Sequence, residues 1–273
     1  MGAGRVATAL AVLLRRAGHP VRAVTGGPAS EERAARHLPG VPFVSGPEAA
    51  EAGRVVLIGV PDDAIAGVSS GLHWRAGQTV LHLSGAVGLD ALATPRTDGA
   101  GVGSLHVLQT VPDVEAGVER IPGSHAAVTA EHEEDLALAE RLAADAGAVP
   151  FRLDDARKPL YHAAAVFASN YLSVVEGAAA RLMKAAGAPA EALAPLARAA
   201  LDNALATGAL TGPAARGDAG TVRRNLEALA ADAPDLVPAY VALADAALDQ
   251  AEAAGRLDHA ARGRVEEVLA GWR

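Results

Sequence analysis

Lys158, His162, Ser169 and Asn170 are the polar residues most open to chemistry. His162, Ser169 and Asn170 stand within Leu160 to Met183, the longest apolar stretch of the 273-residue chain. Lys158 precedes Pro159, and proline suits the first turn of a helix. At helical spacing His162 and Ser169 share one face with Ala165 and Val166, and Asn170 lies roughly 80° further round. A polar strip on a buried helix costs free energy unless it meets partners or substrate. Either a satisfied network at a domain or dimer interface or a substrate-facing site would account for it.

A second constellation is the run Gly2-Ala3-Gly4-Arg5-Val6-Ala7. Dinucleotide-binding turns use glycine for a tight bend and for close approach of backbone amides to a pyrophosphate, with a helix N-terminus behind them. Gly2 and Gly4 fit the first two glycine positions. Ala7 fits the third, where a small residue serves helix packing. As a lone motif the run is weak, and its weight comes from the strands downstream.

The end of the next strand-like run governs cofactor choice. It reads Thr25-Gly26-Gly27, with no acid before Glu31 to accept a ribose 2′-hydroxyl. That favours NADP(H), with Arg33 or Arg36 near a 2′-phosphate; both arginines also fit solvated helix positions. In a doubly wound fold the loops after the strands face the cofactor. Val60, Pro61 and Asp62 are expected beside it, and Ser84-Gly85 beside the nicotinamide. His106 and Gln109 are expected to touch substrate, although His106 could equally bond loop backbone.

These residues need a scaffold of alternating strands and helices. Strand-like runs are Val21–Thr25, Val41–Val44, Val55–Val60, Thr79–Leu83, Gly103–Val107 and Ala126–Thr129, with helices over 5–17, 31–37 and 47–52. The spacing predicts an α/β, Rossmann-type, doubly wound, mostly parallel sheet over residues 1–151. Residues 152–273 read as an all-helical second domain. The glycine run should follow a strand, yet only Met1 precedes it. The first strand is therefore expected to be missing, which a start codon assigned too far downstream would explain.

Composition narrows the function classes. The net charge of −8, from 24 Lys+Arg against 32 Asp+Glu, argues against nucleic acid as the main partner. Zero cysteines exclude disulfides and thiolate chemistry. No metal-ligand motif is present, and the apolar stretch with His162, Asn170 and Glu176 is a poor bilayer span. A cytoplasmic protein without membrane contact is expected.

Several motifs, in order along nearly the whole chain, resemble the Rossmann-like, DUF2520-containing proteins. They are the glycine run, Val60-Pro61-Asp62-Asp63-Ala64-Ile65, His82-Leu83-Ser84-Gly85-Ala86, Gly103-Ser104-Leu105-His106, Leu160-Tyr161-His162-Ala163, Ser169-Asn170-Tyr171 and Leu210-Thr211-Gly212-Pro213-Ala214-Ala215-Arg216-Gly217-Asp218. Ala7 in place of a third glycine and Val107 after His106 depart from the family pattern. The resemblance implies kinship with pyrroline-5-carboxylate and ketopantoate reductases, and a homodimer through the helical domain. It further implies Lys158 or His162 as proton donor and Asn170 as the group orienting substrate. Thr211 and Arg216 would hold a substrate carboxylate, unless Arg216 and Asp218 merely cap helices. The implied activity is NADP(H)-dependent reduction of a small 2-oxo acid or imine, ketopantoate to pantoate being one candidate. The alternatives are a non-catalytic NADP-binding regulatory protein, or hydride exchange between NADP and the deazaflavin F420.

Overall fold

The computed structural model describes residues 1–208 and 210–273 and divides into two compact units, Met1–Ser169 and Asn170–Arg273. The first unit is built on a five-stranded sheet in the order β1 (Val55–Ile58), β2 (Thr79–His82), β3 (Gly101–Val107), β4 (His125–Ala130) and β5 (Val149–Arg152). Pairing is parallel except between β3 and β4. Val80, Leu81, Leu105, Ala126 and Val128 are buried almost completely, as strands covered on both faces require.

Helices cover the sheet: α1 (Arg5–Arg16), α2 (Pro28–His37), α3 (Gly46–Glu51), α4 (Ile65–Ser70), α5 (Ala93–Thr97), α6 (Val114–Arg120) and α7 (Glu133–Asp145). Leu10, Leu13 and Leu14 of α1 pack with Leu142 and Ala143 of α7 in a core shared with β2, β3 and β4. The expected helices at 5–17, 31–37 and 47–52 are α1, α2 and α3, within a few residues at each end.

Two expected strands are reduced. Val21–Thr25 and Val41–Val44 meet only through an isolated parallel bridge between Val24 and Phe43. A neighbour on the far side of Val21–Thr25 is limited to its last residue, where Gly2 and Ala3 donate backbone hydrogen bonds to the Thr25 carbonyl. β5, by contrast, has no counterpart among the expected strands. Its Pro150 lacks an amide donor, and β5 sits at the sheet edge, where proline is tolerated.

α8 (Lys158–Val166) is followed by a π-helical segment, Phe167–Tyr171, in which the division between units falls. Uniform α-helical geometry therefore ends at Val166, before Ser169 and Asn170.

The second unit contains α9 (Leu172–Ala185), α10 (Leu193–Thr207), α11 (Ala219–Asp232), α12 (Val237–Ala253) and α13 (His259–Ala270). Its core is formed by α11, α12 and α13 through Val222, Leu226, Val241, Leu248, Val265 and Leu269. Among the described residues, α9 and α10 bury none, and Val174, Leu196 and Leu205 are 67%, 66% and 79% exposed. No described helix is long and apolar enough to cross a membrane.

Candidate functional site

The glycine run forms a tight turn into α1. Gly2 has φ +68°, a conformation that disfavours L side chains, and a Cβ there would lie 2.3 Å from Cγ1 of Val60. At Gly4, the N-cap of α1, a Cβ would meet the Gly59 carbonyl oxygen at 3.1 Å. No side chain caps α1, and its first turn holds no acid. Its opening amides and partial positive charge are left for an anion.

A cavity of about 520 Å³ lies over this turn, lined by residues including Gly2, Gly4, Thr25, Gly27, Ser30 and Pro61. A glycine-floored groove at an uncapped helix start fits a dinucleotide pyrophosphate. Val60 also lines this cavity, whereas Arg5 turns outward, its guanidinium donating to the Pro112 carbonyl. Val6 and Ala7 pack against the sheet core. Arg33 reaches back to the turn and donates to the Ala3 carbonyl at 2.5 Å, while Arg36 pairs with Glu115 at the surface.

A second cluster forms where β2 and β3 meet α8. Lys158 is 1% exposed, and its Nζ donates to Ser104 Oγ at 2.6 Å and to the Ser84 carbonyl at 3.2 Å. Burial holds its pKa down at about 8, against the partly compensating charges of Asp155 and Asp62. Ser84 shapes the loop after β2, its Oγ accepting from the amides of Ala86 and Val87. Asp155 holds the same loop further on, through the Leu89 amide.

The imidazole of His106 packs over Gly85, where a Cβ would fall 2.7 Å from the ring. Its Nδ1 lies 2.8 Å from the Tyr161 hydroxyl, and its ring centroid is 6.3 Å from that of His162. Burial, then the neighbouring His162 and Lys158, lower its pKa to about 4, although Asp62 acts in the opposite sense. Burial pushes the Tyr161 phenol up to about 12. His82 is fully buried beside them, its Nδ1 accepting from the Ser84 amide. Burial, then Lys158 and His106, lower the His82 pKa to about 3, and its Nε2 has no partner among the described residues.

Lys158, His162, Ser84, Gly85 and His106 are thus brought together, with Asp62 close enough to act on Lys158 and His106 electrostatically. The Gln109 side chain accepts from the Thr110 amide at the surface. Sequence reasoning did not select Tyr161, Ser104 or His82. Tyr161 follows Lys158 by three residues, a helical spacing that places both on one face and was the available signal. Asn170, Thr211 and Arg216 belong to the second unit. There the Arg216 guanidinium donates to the Thr211 carbonyl within their own loop, and Asp218 caps α11 through the Thr221 amide. The described residues contain no group of His, Cys, Asp and Glu able to hold a metal.

A five-stranded sheet with a glycine turn at a helix start defines a Rossmann-type protein. Residues 1–107 match the Rossmann-like domain and residues 124–247 match DUF2520, a domain of unknown function. The chain carries both domains of the Rossmann-like, DUF2520-containing proteins, in that order. No curated protein matches it in sequence. Among solved structures, it is similar to a Bacteroides fragilis protein assigned as an NADP oxidoreductase, with 22% identity, 91% and 96% of the two chains covered and a TM-score of 0.74. A reductive aminase from Aspergillus terreus, solved with NADPH and ethyl levulinate, aligns at 19% identity over 100% and 97%, TM-score 0.67. A 1-pyrroline-5-carboxylate reductase from Streptococcus pyogenes aligns at 19% over 92% and 96%, TM-score 0.60. At these identities the likeness is one of fold.

Proposed function

We propose that the chain is an NADP(H)-dependent oxidoreductase that reduces a small 2-oxo acid or imine. The observation that carries this reading is the buried Lys158, hydrogen-bonded to Ser84 and Ser104 beside the His106–Tyr161 pair. The cluster lies at the carboxyl-terminal half of the parallel strands, where doubly wound folds place their chemistry. The NADPH-bound aminase and the reductase among the structural neighbours support the same reading at the level of fold.

Gly2, Gly4 and the start of α1 would hold the pyrophosphate, with Thr25 and Arg33 toward the adenosine end. The nicotinamide, when bound, supplies a hydride. Small residues at Ser84-Gly85 permit close approach of a flat ring. Lys158 holds a proton at Nζ, and its lowered pKa suits transfer near neutral pH to the developing alkoxide oxygen of a 2-oxo acid or the amine nitrogen formed from an imine. His106, kept neutral by burial, fixes the Tyr161 hydroxyl as a further polar contact. The roles suggested for His162, Asn170, Thr211 and Arg216 are tested by alanine substitution with kcat/KM as readout. The exposed apolar faces of α9 and α10 favour a homodimer through the second unit, which sedimentation would measure.

Titration with NADPH and NADH, followed by a panel of 2-oxo acids and imines including ketopantoate, tests the activity. Tighter NADPH binding is expected, with turnover of at least one panel member that Lys158→Met removes. Binding without turnover would move the reading to a non-catalytic NADP-binding protein.

A further inference from the structure

His82 closes β2, and its side chain takes over where the strand ladder stops. Leu83 still donates to the Ile58 carbonyl of β1, but the last register pair between β2 and β3 is His82 with Ser104. Ser84 is 7% exposed, so its amide needs an acceptor inside the protein. His82 Nδ1 supplies one at 3.2 Å. A ring nitrogen that accepts carries no proton, so the neutral imidazole holds its hydrogen on Nε2.

The residue held in this way carries one of the two acceptors of Lys158. Ser84 offers its carbonyl to Lys158 Nζ at 3.2 Å, while its Oγ accepts from the Ala86 and Val87 amides. The amide, carbonyl and hydroxyl oxygen of Ser84 are all committed, so turning its backbone to free one disturbs the others. The second acceptor of Lys158, Ser104 Oγ, belongs to the residue directly beside His82 across the ladder. Gly85 then lies against the His106 imidazole with no room for a side chain. One short loop sets the places of both Lys158 and His106, and His82 anchors its first amide.

Histidine suits this position because it accepts while staying uncharged. Burial, then Lys158 and His106, hold its pKa at about 3, so at neutral pH no second cation forms beside the ammonium. An aspartate would accept the same amide but would also favour the charged form of Lys158, against the lowered pKa that suits proton transfer.

We infer that His82 is a positioning residue: its Nδ1 fixes the Ser84 peptide and, through the Ser84 carbonyl, the place of the Lys158 ammonium. This role presupposes that Lys158 is the proton donor of the proposed reduction.

His82→Asn and His82→Gln separate positioning from packing. The asparagine oxygen falls near the place of Nδ1 and accepts the Ser84 amide, whereas glutamine sets its carboxamide near the place of Nε2 and leaves that amide without an acceptor. His82→Leu removes both ring nitrogens. In the cofactor-free protein, exchange of the Ser84 amide should quicken at least about tenfold in His82→Gln and His82→Leu. The Lys158 titration midpoint, followed by NMR, should fall by at least about half a pH unit in both, because the ammonium loses an acceptor. His82→Asn should leave both readouts close to wild type. With a 2-oxo acid or imine that the chain turns over, kcat should fall about tenfold or more in the first two variants, while the Kd for NADPH stays within about twofold. His82→Asn should recover most of that kcat.

Equal behaviour of His82→Asn and His82→Gln in exchange and titration overturns the inference, as does an unmoved Lys158 midpoint in His82→Leu. If His82→Leu does not fold, the comparison of asparagine with glutamine decides. Full kcat in His82→Gln also overturns it and leaves the proposed activity standing. Absence of turnover in every form, wild type included, would count against the activity alone, since exchange and titration are read without cofactor or substrate.

Discussion

The ammonium of Lys158 is tied to the hydroxyl of Ser104, 54 residues earlier in the chain, by a 2.6 Å hydrogen bond inside the first unit. A lysine buried to 1% exposure carries a desolvation cost, and two oxygen acceptors offset only part of it. Lysine at this position is therefore costly to stability, which is the pattern expected of a group kept for chemistry. Lys158→Met should leave the melting temperature unchanged or higher while reducing kcat by about 10²–10⁴-fold. Steady-state kinetics beside thermal denaturation decides it. A stable variant with full activity would remove Lys158 from the reaction.

The same cluster sets a pH dependence of stability whose sign can be worked out. His106 and His82 have folded pKa values of about 4 and 3, below the ordinary histidine value of 6.5. Between those values and 6.5 the unfolded chain binds more protons, so stability falls as pH drops from 6.5 toward 4. For Lys158 the window is about 8 to 10.5, across which its contribution rises with pH. Urea midpoints measured from pH 4 to 10 should trace both limbs. His106→Asn should flatten part of the acid limb, and an unchanged limb would mean that His106 is not buried neutral.

The glycine turn leads to a sharper structural expectation. At Gly2 an alanine would combine φ +68° with a Cβ 2.3 Å from Val60 Cγ1. The left-handed conformation alone costs about 1–2 kcal/mol. Gly2→Ala should therefore lower stability by at least that amount and weaken NADPH binding about tenfold or more. Calorimetric titration together with denaturation measures both. Unaltered NADPH affinity would show that the pyrophosphate does not approach this turn.

The sheet was legible where burial is complete. β1 (Val55-Val56-Leu57-Ile58) is an apolar run followed by Gly59, and β2 and β4 are short stretches rich in Val, Leu, Ala and Thr, which read as strands without tertiary information. β5 escaped because Val149-Pro150-Phe151-Arg152 carries a proline and an arginine that only an edge position accommodates. Val21–Thr25 reads as a full strand by propensity but pairs at one bridge, since strand formation depends on neighbours as much as on residue type. In the site, Lys158 and His162 were readable as polar residues on an apolar helix. Tyr161 was readable only as a neighbour of Lys158 on one helical face, and Ser104 and His82 were not, because their roles arise from two strands and a helix brought together across 54 or more residues of chain. The π turn at Phe167–Tyr171 has no simple signature in composition.

Arg33 is expected to set the preference between the two cofactors. Thr25, Gly26 and Gly27 present no acid to a ribose 2′-hydroxyl, and Gly27 caps α2 without any side-chain acceptor. Arg33 extends from α2 to the Ala3 carbonyl, which places its guanidinium at the glycine turn rather than in solvent contacts alone. A 2′-phosphate in the adjoining cavity would gain a charge-assisted bond from that group, whereas a 2′-hydroxyl would gain much less. Arg36, held by Glu115, is already committed elsewhere. Arg33→Ala should raise the Kd for NADPH about tenfold and leave that for NADH within about twofold, with Arg36→Ala affecting neither. Fluorescence titrations with both cofactors supply the comparison. Equal losses for NADPH and NADH would place Arg33 in support of the turn itself, through its Ala3 bond, and not in recognition of the phosphate.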